Sequence, residues 1–230
     1  MANYVWCEDS KSGFQFWKAL FKETHPDFIT ETQLNNSRLA KKAGKITDDG
    51  NTYYIIIDTA VDNADVLREM ARLNRNIAGK NNIKLIKVHS FEFTLLSFEH
   101  LDNWLFAEND EFKDRRSKLL IARAQFVSLI NNGGSTDELN KFKSVYDFSD
   151  KNNTEKIAAK LLYEITRNTG FETDKSQIGD CFVNDCCEWN DRQANDVCGL
   201  DKNKLTSSEK MEQIIRHSIL NAAFKEVNLL

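Results

Sequence analysis

The sequence predicts an α/β protein: a mostly parallel sheet flanked by helices over residues 1–106, followed by a mainly helical region over residues 107–230. Three observations carry this. Short strand-forming apolar runs alternate with stretches of helical periodicity through the first hundred residues. The strongest run, Tyr53-Tyr54-Ile55-Ile56-Ile57, is apolar without interruption, as in a strand covered on both faces. Beyond residue 106 the periodic segments are helical.

The elements follow in order. Tyr4-Val5-Trp6-Cys7 is rich in strand formers. Ser12 opens S-G-F-Q, a capping-box pattern with Gln15, and Phe14, Trp17, Leu20 and Phe21 keep helical spacing until Pro26 discourages continuation. Phe28 to Thr32 is a second strand and Ser37 to Ala43 a short helix. Asp48-Asp49-Gly50-Asn51 is a turn before the central strand, which ends at Asp58. Asn63 to Ala78 is a helix with Val66, Met70, Leu73 and Ile77 on one stripe and Gly79 just past its end. Ile83 to Val88 is a strand, and Phe91 to Phe106 is helix-like. In the second region, Lys118 to Ile130 is helical and stops at Asn131-Asn132-Gly133-Gly134. Thr154 caps a helix carrying Ile157, Leu161, Leu162 and Ile165. Thr206 and Glu209 form a second capping box ahead of Met211, Ile214, Ile215 and Leu220. No Pro- or Ser-rich linker divides the two regions, so they are expected to pack together.

The 230 residues, 41% of them hydrophobic, suffice to bury a core. A single Pro and nine Gly exclude collagen-like and flexible-linker architectures. No apolar run approaches the ~18 residues of a membrane span. The start MANYVWCEDS reads as neither a secretory signal nor a transit peptide, so a cytoplasmic protein is expected, with no membrane partner. A net charge of -4 argues against a nonspecific nucleic-acid coat, but does not exclude an enzyme acting on nucleic acid, because clustered carboxylates can hold cations that restore local positive charge.

Carboxylates recur just past the strands: Glu8 after the first, Asp58 at the end of the central strand with Asp62 and Asp65 beyond, and Glu92 in Ser90-Phe91-Glu92 after the strand ending at Val88. In open α/β sheets, functional groups collect at this edge. Converging carboxylates repel one another unless a hard cation such as Mg²⁺ or Mn²⁺ bridges them. Such an ion can orient a phosphate and activate water. Taken singly, each acid is equally a helix cap, and Asp62 or Asn63 suits that role for the following helix.

The segments W-C-E-D-S-K-S-G-F-Q-F-W-K-A-L-F, Y-Y-I-I-I-D-T-A-V-D-N and S-F-E-F-T-L-L-S-F, in this order, resemble a TOPRIM domain, over about the first 106 residues. The Ser-x-Glu element and the aromatic, leucine-rich stretch after it are closer to the OLD-type nucleases and the small TOPRIM proteins of bacterial antiphage defence systems. The resemblance implies an Mg²⁺-dependent (or Mn²⁺-dependent) nuclease hydrolysing phosphodiester bonds in DNA or RNA, tRNA included. Glu8, Asp58 and Glu92 would be catalytic metal ligands, Asp62 an auxiliary ligand, and Ser90 a second ligand or an orienting group. It also implies a toxic effector controlled by a separate ATPase, since this chain has no G-x-x-x-x-G-K-[ST] motif. Homodimerisation is compatible with it. The chain departs from the family's D-x-D pattern: Ala60 stands at the second acidic position, so that Asp62 takes over, a second metal is lost, or the chain is a catalytically inactive TOPRIM-fold binding subunit of a larger complex. Ser12 stands where OLD-type enzymes often carry a second acid after the first Glu, and Asp9 could replace it only in another geometry.

Arg68, Arg72 and Arg75 share one helix face and are candidate phosphate-binding groups. Lys41-Lys42-Lys45, Lys84-Lys87 and Arg115-Arg116-Lys118 are further basic clusters, each equally a solvated surface. Cys181, Cys186, Cys187 and Cys198 are enough thiols for a structural Zn²⁺, for which Cys181, Cys186 and Cys198 are the candidate ligands and His217 a fourth. The spacing is irregular, and Phe182, Val183, Trp189 and Val197 nearby suit a packed core of free cysteines instead. Among the histidines, His89 beside Ser90 and Glu92 is the one to test for a catalytic role.

Overall fold

A computed structural model describes residues 1–105, 113–186, 198–200 and 204–230, apart from the side chain of Arg115. The expected boundary at residue 106, and Cys187, Trp189 and Val197, lie outside the described residues. Strands β1 (Asn3–Cys7), β2 (Phe28–Thr32), β3 (Thr52–Asp58) and β4 (Ile83–Val88) form one sheet in the order β2-β1-β3-β4. Every adjacent pair is parallel, with Cys7 beside Thr32, Trp6 beside Ile55 and Asp58 beside Val88. The strands therefore end together, and residues just after them share one rim.

The connections are helical: α1 (Ser12–Thr24), α2 (Asn36–Ala43) and α3 (Ala64–Ile77). From β1 the chain moves outward to β2, then returns across β1 to β3 and continues the other way. That reversal makes the β1/β3 boundary the topological switch point, where parallel sheets open a crevice at their carboxyl edge.

Alternation along the strands feeds two cores. Val5, Cys7, Tyr54, Ile56, Ile86 and Val88 face one side, where Phe16, Trp17, Leu20 and Phe21 of α1 meet them. Trp6, Tyr53, Ile55 and Ile57 face the other, under Leu39 and Ala43 of α2 and Leu73 of α3. The first core does not stop at α1. It runs through α4 (Phe91–Leu96), α5 (Leu101–Leu105), α6 (Lys113–Asn131), α7 (Thr136–Val145) and α8 (Thr154–Thr166) into α9 (Asp180–Val183), α10 (Ser207–Arg216) and α11 (Leu220–Glu226). α4 packs on α8, α1 on α10, and α11 covers the β4 edge. Lys84 Nζ there donates to the Val227 carbonyl at 3.2 Å and Lys87 pairs with Glu226 at 3.1 Å, so these two lysines fasten the C-terminal helix to the sheet.

Local chemistry explains where expectation and structure part. The S-G-F-Q box does not form: Lys11 is the N-cap without a side-chain bond, and the Gln15 carboxamide accepts from the Ile178 amide at 3.4 Å in the helical region. The predicted helix from Phe91 onward breaks at Ser97, and Arg123 donates to the Leu96 and Phe98 carbonyls that the break releases. α7, missed from the sequence, starts with a complete capping box of Ser135 and Glu138. The box at Thr206 and Glu209 forms as expected. α8 is capped by Asn153 rather than by Thr154, which is its first residue.

Candidate active site

Glu8 follows β1 at the switch point, and Asp58 ends β3 beside it. Their carboxyl groups are hydrogen-bonded to each other, which requires one shared proton, and the Asn36 side chain, at the start of α2, bonds Glu8 as well. Burial, then the charge of Asp9, pushes Glu8 up to about 7 against these two bonds. Asp58 is also raised well above the ordinary carboxylate range, by burial first and then by Asp9, Glu8, Glu155 and Glu92.

Glu92 is in the first turn of α4. Ser90 caps that helix: its Oγ accepts from the Phe93 amide at 3.1 Å and its hydroxyl also bonds the Glu92 carboxylate. Ser90 is thus engaged as a cap and an orienting group. Burial raises Glu92, with Asp9 and Glu155 adding to it.

Two further acids complete the rim. Asp9 Oδ2 accepts from Trp17 Nε1 at 2.9 Å, and the Thr32 hydroxyl donates to the Asp9 carbonyl. Gly13 permits this: a Cβ there would stand 2.3 Å from Asp9 Oδ1. Glu155 reaches the site from the first turn of α8. Its Oε2 accepts from Asn63 at 2.6 Å and from Asn153 at 3.1 Å, the caps of α3 and α8. Burial raises its carboxyl too.

Asp62 turns to another task. Its Oδ2 accepts from the Thr154 amide at 2.8 Å and its Oδ1 from the Thr154 hydroxyl at 2.6 Å, so both oxygens serve the start of α8. Ala60 is fully buried, and an acid there would have to be desolvated. Among the described residues, no group of three or more His, Cys, Asp or Glu side chains stands as a metal cage. The acids at the rim share an electrostatic neighbourhood, with Glu8 and Asp58 in direct contact.

Among the described residues, neither His89 nor Cys7 is poised as a nucleophile. The His89 ring packs at a tilt against Phe93, centres 4.8 Å apart, and burial lowers it to about 4, so it is neutral at pH 7. Burial and the neighbouring acids hold the Cys7 thiol above its ordinary range, hence protonated. Cys198 is buried and its sulfur accepts from the Leu200 amide at 3.3 Å; Cys186 accepts from the Leu205 amide at 3.3 Å; Cys181 is half-buried against the same core. His217 Nδ1 lies 3.4 Å from a Glu99 carboxylate oxygen, and its ring is tilted against that of His100.

The arginines of α3 are partly neutralised. Arg68 meets Asp65 at 2.6 Å, and Arg72 meets Ser37 at 2.9 Å and Glu69 at 3.5 Å. Arg75 is exposed in the last turn, about 10 Å farther along the helix than Arg68. No helix among the described residues is long and apolar enough to cross a membrane.

Sequence reasoning missed Glu155, Asn36 and the pinning of Asp9. Trp17 and Gly13, eight and four residues after Asp9, were the available signal for the last; nothing local marks Glu155, whose neighbours at the rim are more than sixty residues away in the chain. The chain matches no protein-family model, no curated protein and no solved structure.

Proposed function

We propose that the chain is a TOPRIM-like, Mg²⁺-dependent (or Mn²⁺-dependent) nuclease that hydrolyses phosphodiester bonds in DNA or RNA. The observation that carries this reading is the direct contact of Glu8 and Asp58 at the switch point, with Glu92 and Glu155 in electrostatic reach. The donor chemistry fits a hard divalent cation: oxygen-only, anionic and destabilised by mutual repulsion. Glu8, Asp58 and Glu92 would hold the ion, which when bound supplies Lewis-acid activation of phosphate and water. The other groups have separate roles. Asn36 orients Glu8 and Ser90 orients Glu92. Glu155, held through Oε2 by two side-chain amides, would be the proton acceptor in this reading. A separate ATPase partner and an effector role in antiphage defence belong to the same proposal.

A second reading, a TOPRIM-fold binding subunit without catalysis, is favoured by buried Ala60 and by the commitment of Asp62 to α8. One experiment decides between the two: cleavage of plasmid, single-stranded DNA and tRNA with Mg²⁺ or Mn²⁺, with and without any co-encoded ATPase, beside calorimetric titration of the ion. Glu8→Ala and Asp58→Ala should each abolish cleavage and weaken ion binding. Activity that persists in both variants rejects the site; ion binding with no cleavage under any condition supports the binding subunit.

A further inference from the structure

The cations of this chain divide into those with partners inside the fold and those without. Lys84 and Lys87 hold α11, and Arg116 is buried and donates to the Arg167 carbonyl at 3.0 Å. Arg68 and Arg72 pair within α3. The cluster at the end of β2 and along α2 is different. Arg38, Lys41 and Lys45 have no ion-pair partner among the described residues. Lys42 reaches Glu31 at 3.6 Å, between two exposed side chains, and lies 4.6 Å from the Trp6 ring centre. These four cations, with Thr32 and Gln33, line a cavity of about 250 Å³.

An independent observation points to what the cavity takes. Gln33 is only 6% exposed, yet its Nε2 has no hydrogen-bond partner among the described residues. An unpaired buried amide donor keeps its full desolvation cost. A phosphate in the cavity would offset the repulsion among the four cations in its wall, and a turn of the Gln33 side chain would give the unpaired amide an oxygen to bond. The position also fits. α2 starts at Asn36, which bonds Glu8, so the basic wall begins beside the acidic rim. The helix extends about 12 Å, the length of about three phosphates on one strand.

We propose that the cavity between β2 and α2 is a phosphate-binding subsite that holds the backbone of a nucleic-acid strand as it approaches the acidic rim, with Gln33, Arg38, Lys41 and Lys45 as its donors. The polymeric identity of the anion rests on the nuclease reading; the anionic chemistry rests on the cavity itself.

The test measures binding without catalysis. Fluorescence anisotropy of the full chain in EDTA, with labelled single-stranded DNA and RNA of one sequence, is followed across a NaCl series. Lys41→Ala/Lys45→Ala should weaken binding by at least about tenfold and lower the slope of log K against log salt by about two. The charge-matched control Lys151→Ala/Lys175→Ala, two exposed lysines elsewhere, should not. Gln33→Leu should weaken binding with no change in that slope, and a melting curve of each variant verifies folding. An unchanged affinity and slope in the lysine variant, or no binding of either probe by the native chain, overturns the proposal. So does displacement by inorganic phosphate at concentrations matched to the oligonucleotide's own phosphates, which would mark a small-anion site. Binding that depends on these lysines in a chain that never cleaves sinks the nuclease reading and leaves the subsite standing; cleavage indifferent to them does the reverse.

Discussion

The two regions of the molecule contribute to the rim in unequal ways. The sheet region supplies Glu8, Asp9, Asp58 and Glu92, each within a few residues of a strand end. The helical region supplies one acid, Glu155, and one helix start, Thr154, yet these connect it to the rim through Asn63 and Asp62. Both also share one apolar core. The contrast teaches that the helical region is not an appendage to a self-sufficient site. An α/β edge can gather acids by topology alone, but here a distant helix lends a further charge and fixes the loop after β3.

The largest effect that would sharpen this contrast is on activity. In the proposed reading, Glu155→Gln keeps the shape but removes the proton acceptor, and cleavage should fall by about 10²- to 10⁴-fold, the usual contribution of a general base. Metal affinity measured by calorimetry should fall much less than in Glu8→Ala. An unchanged cleavage rate would confine the site to the sheet region.

Next comes stability. Leu162 is fully buried on α8 in the shared core, and Leu162→Ala should cost about 2–5 kcal/mol. Chemical unfolding followed by tryptophan fluorescence and by far-UV circular dichroism should shift as one transition. Two separated transitions would break the picture of a common core.

The acids give a pH signature of similar or smaller size. Glu8 has a folded pKa of about 7 against an ordinary value of 4.5. A raised carboxyl pKa means that the folded state binds the proton more tightly than the unfolded one. Its stabilisation is complete below 4.5 and is lost as pH rises toward 7, at most about 3 kcal/mol for this group. In EDTA, the melting temperature should therefore fall between pH 5 and 7.5, and Glu8→Gln should flatten that fall. Mg²⁺ should restore more at pH 7.5 than at pH 5.

The smallest expected effect lies on α3. The Arg68–Asp65 pair is exposed, and Arg68→Ala should change stability by less than about 0.5 kcal/mol in denaturant melts. Its loss should weaken oligonucleotide binding less than that of Lys41 and Lys45. A larger loss at Arg68 would return the phosphate-binding role to the α3 face.

Several features were legible before the structure because their causes are local. Runs of strand formers marked β1 and β3, and partial alternation marked β4; Asn63 capped α3, and Gly79, at φ 79°, lies just past its end. Strands that alternate with helices implied parallel pairing, and parallel pairing brings strand ends to one rim, so the ordered acids Glu8, Asp58 and Glu92 could be grouped from the chain alone. The resemblance supplied what those acids would do. The S-G-F-Q box failed because Gln15 found a partner 163 residues away, a competition no local pattern encodes.

The sequence by itself determined the strands, the helices that join them and the order in which carboxylates follow the strand ends, because hydrophobic period and turn chemistry act over a few residues. Only the tertiary structure decided which charges remain available. It bound Asp62 to Thr154, spent Lys84 and Lys87 on α11, brought Glu155 to the rim, and left Arg38, Lys41 and Lys45 beside Gln33 without an ion-pair partner among the described residues. The fate of a polar side chain depends on the group it meets, and parts of the chain far apart in sequence meet only when the cores close.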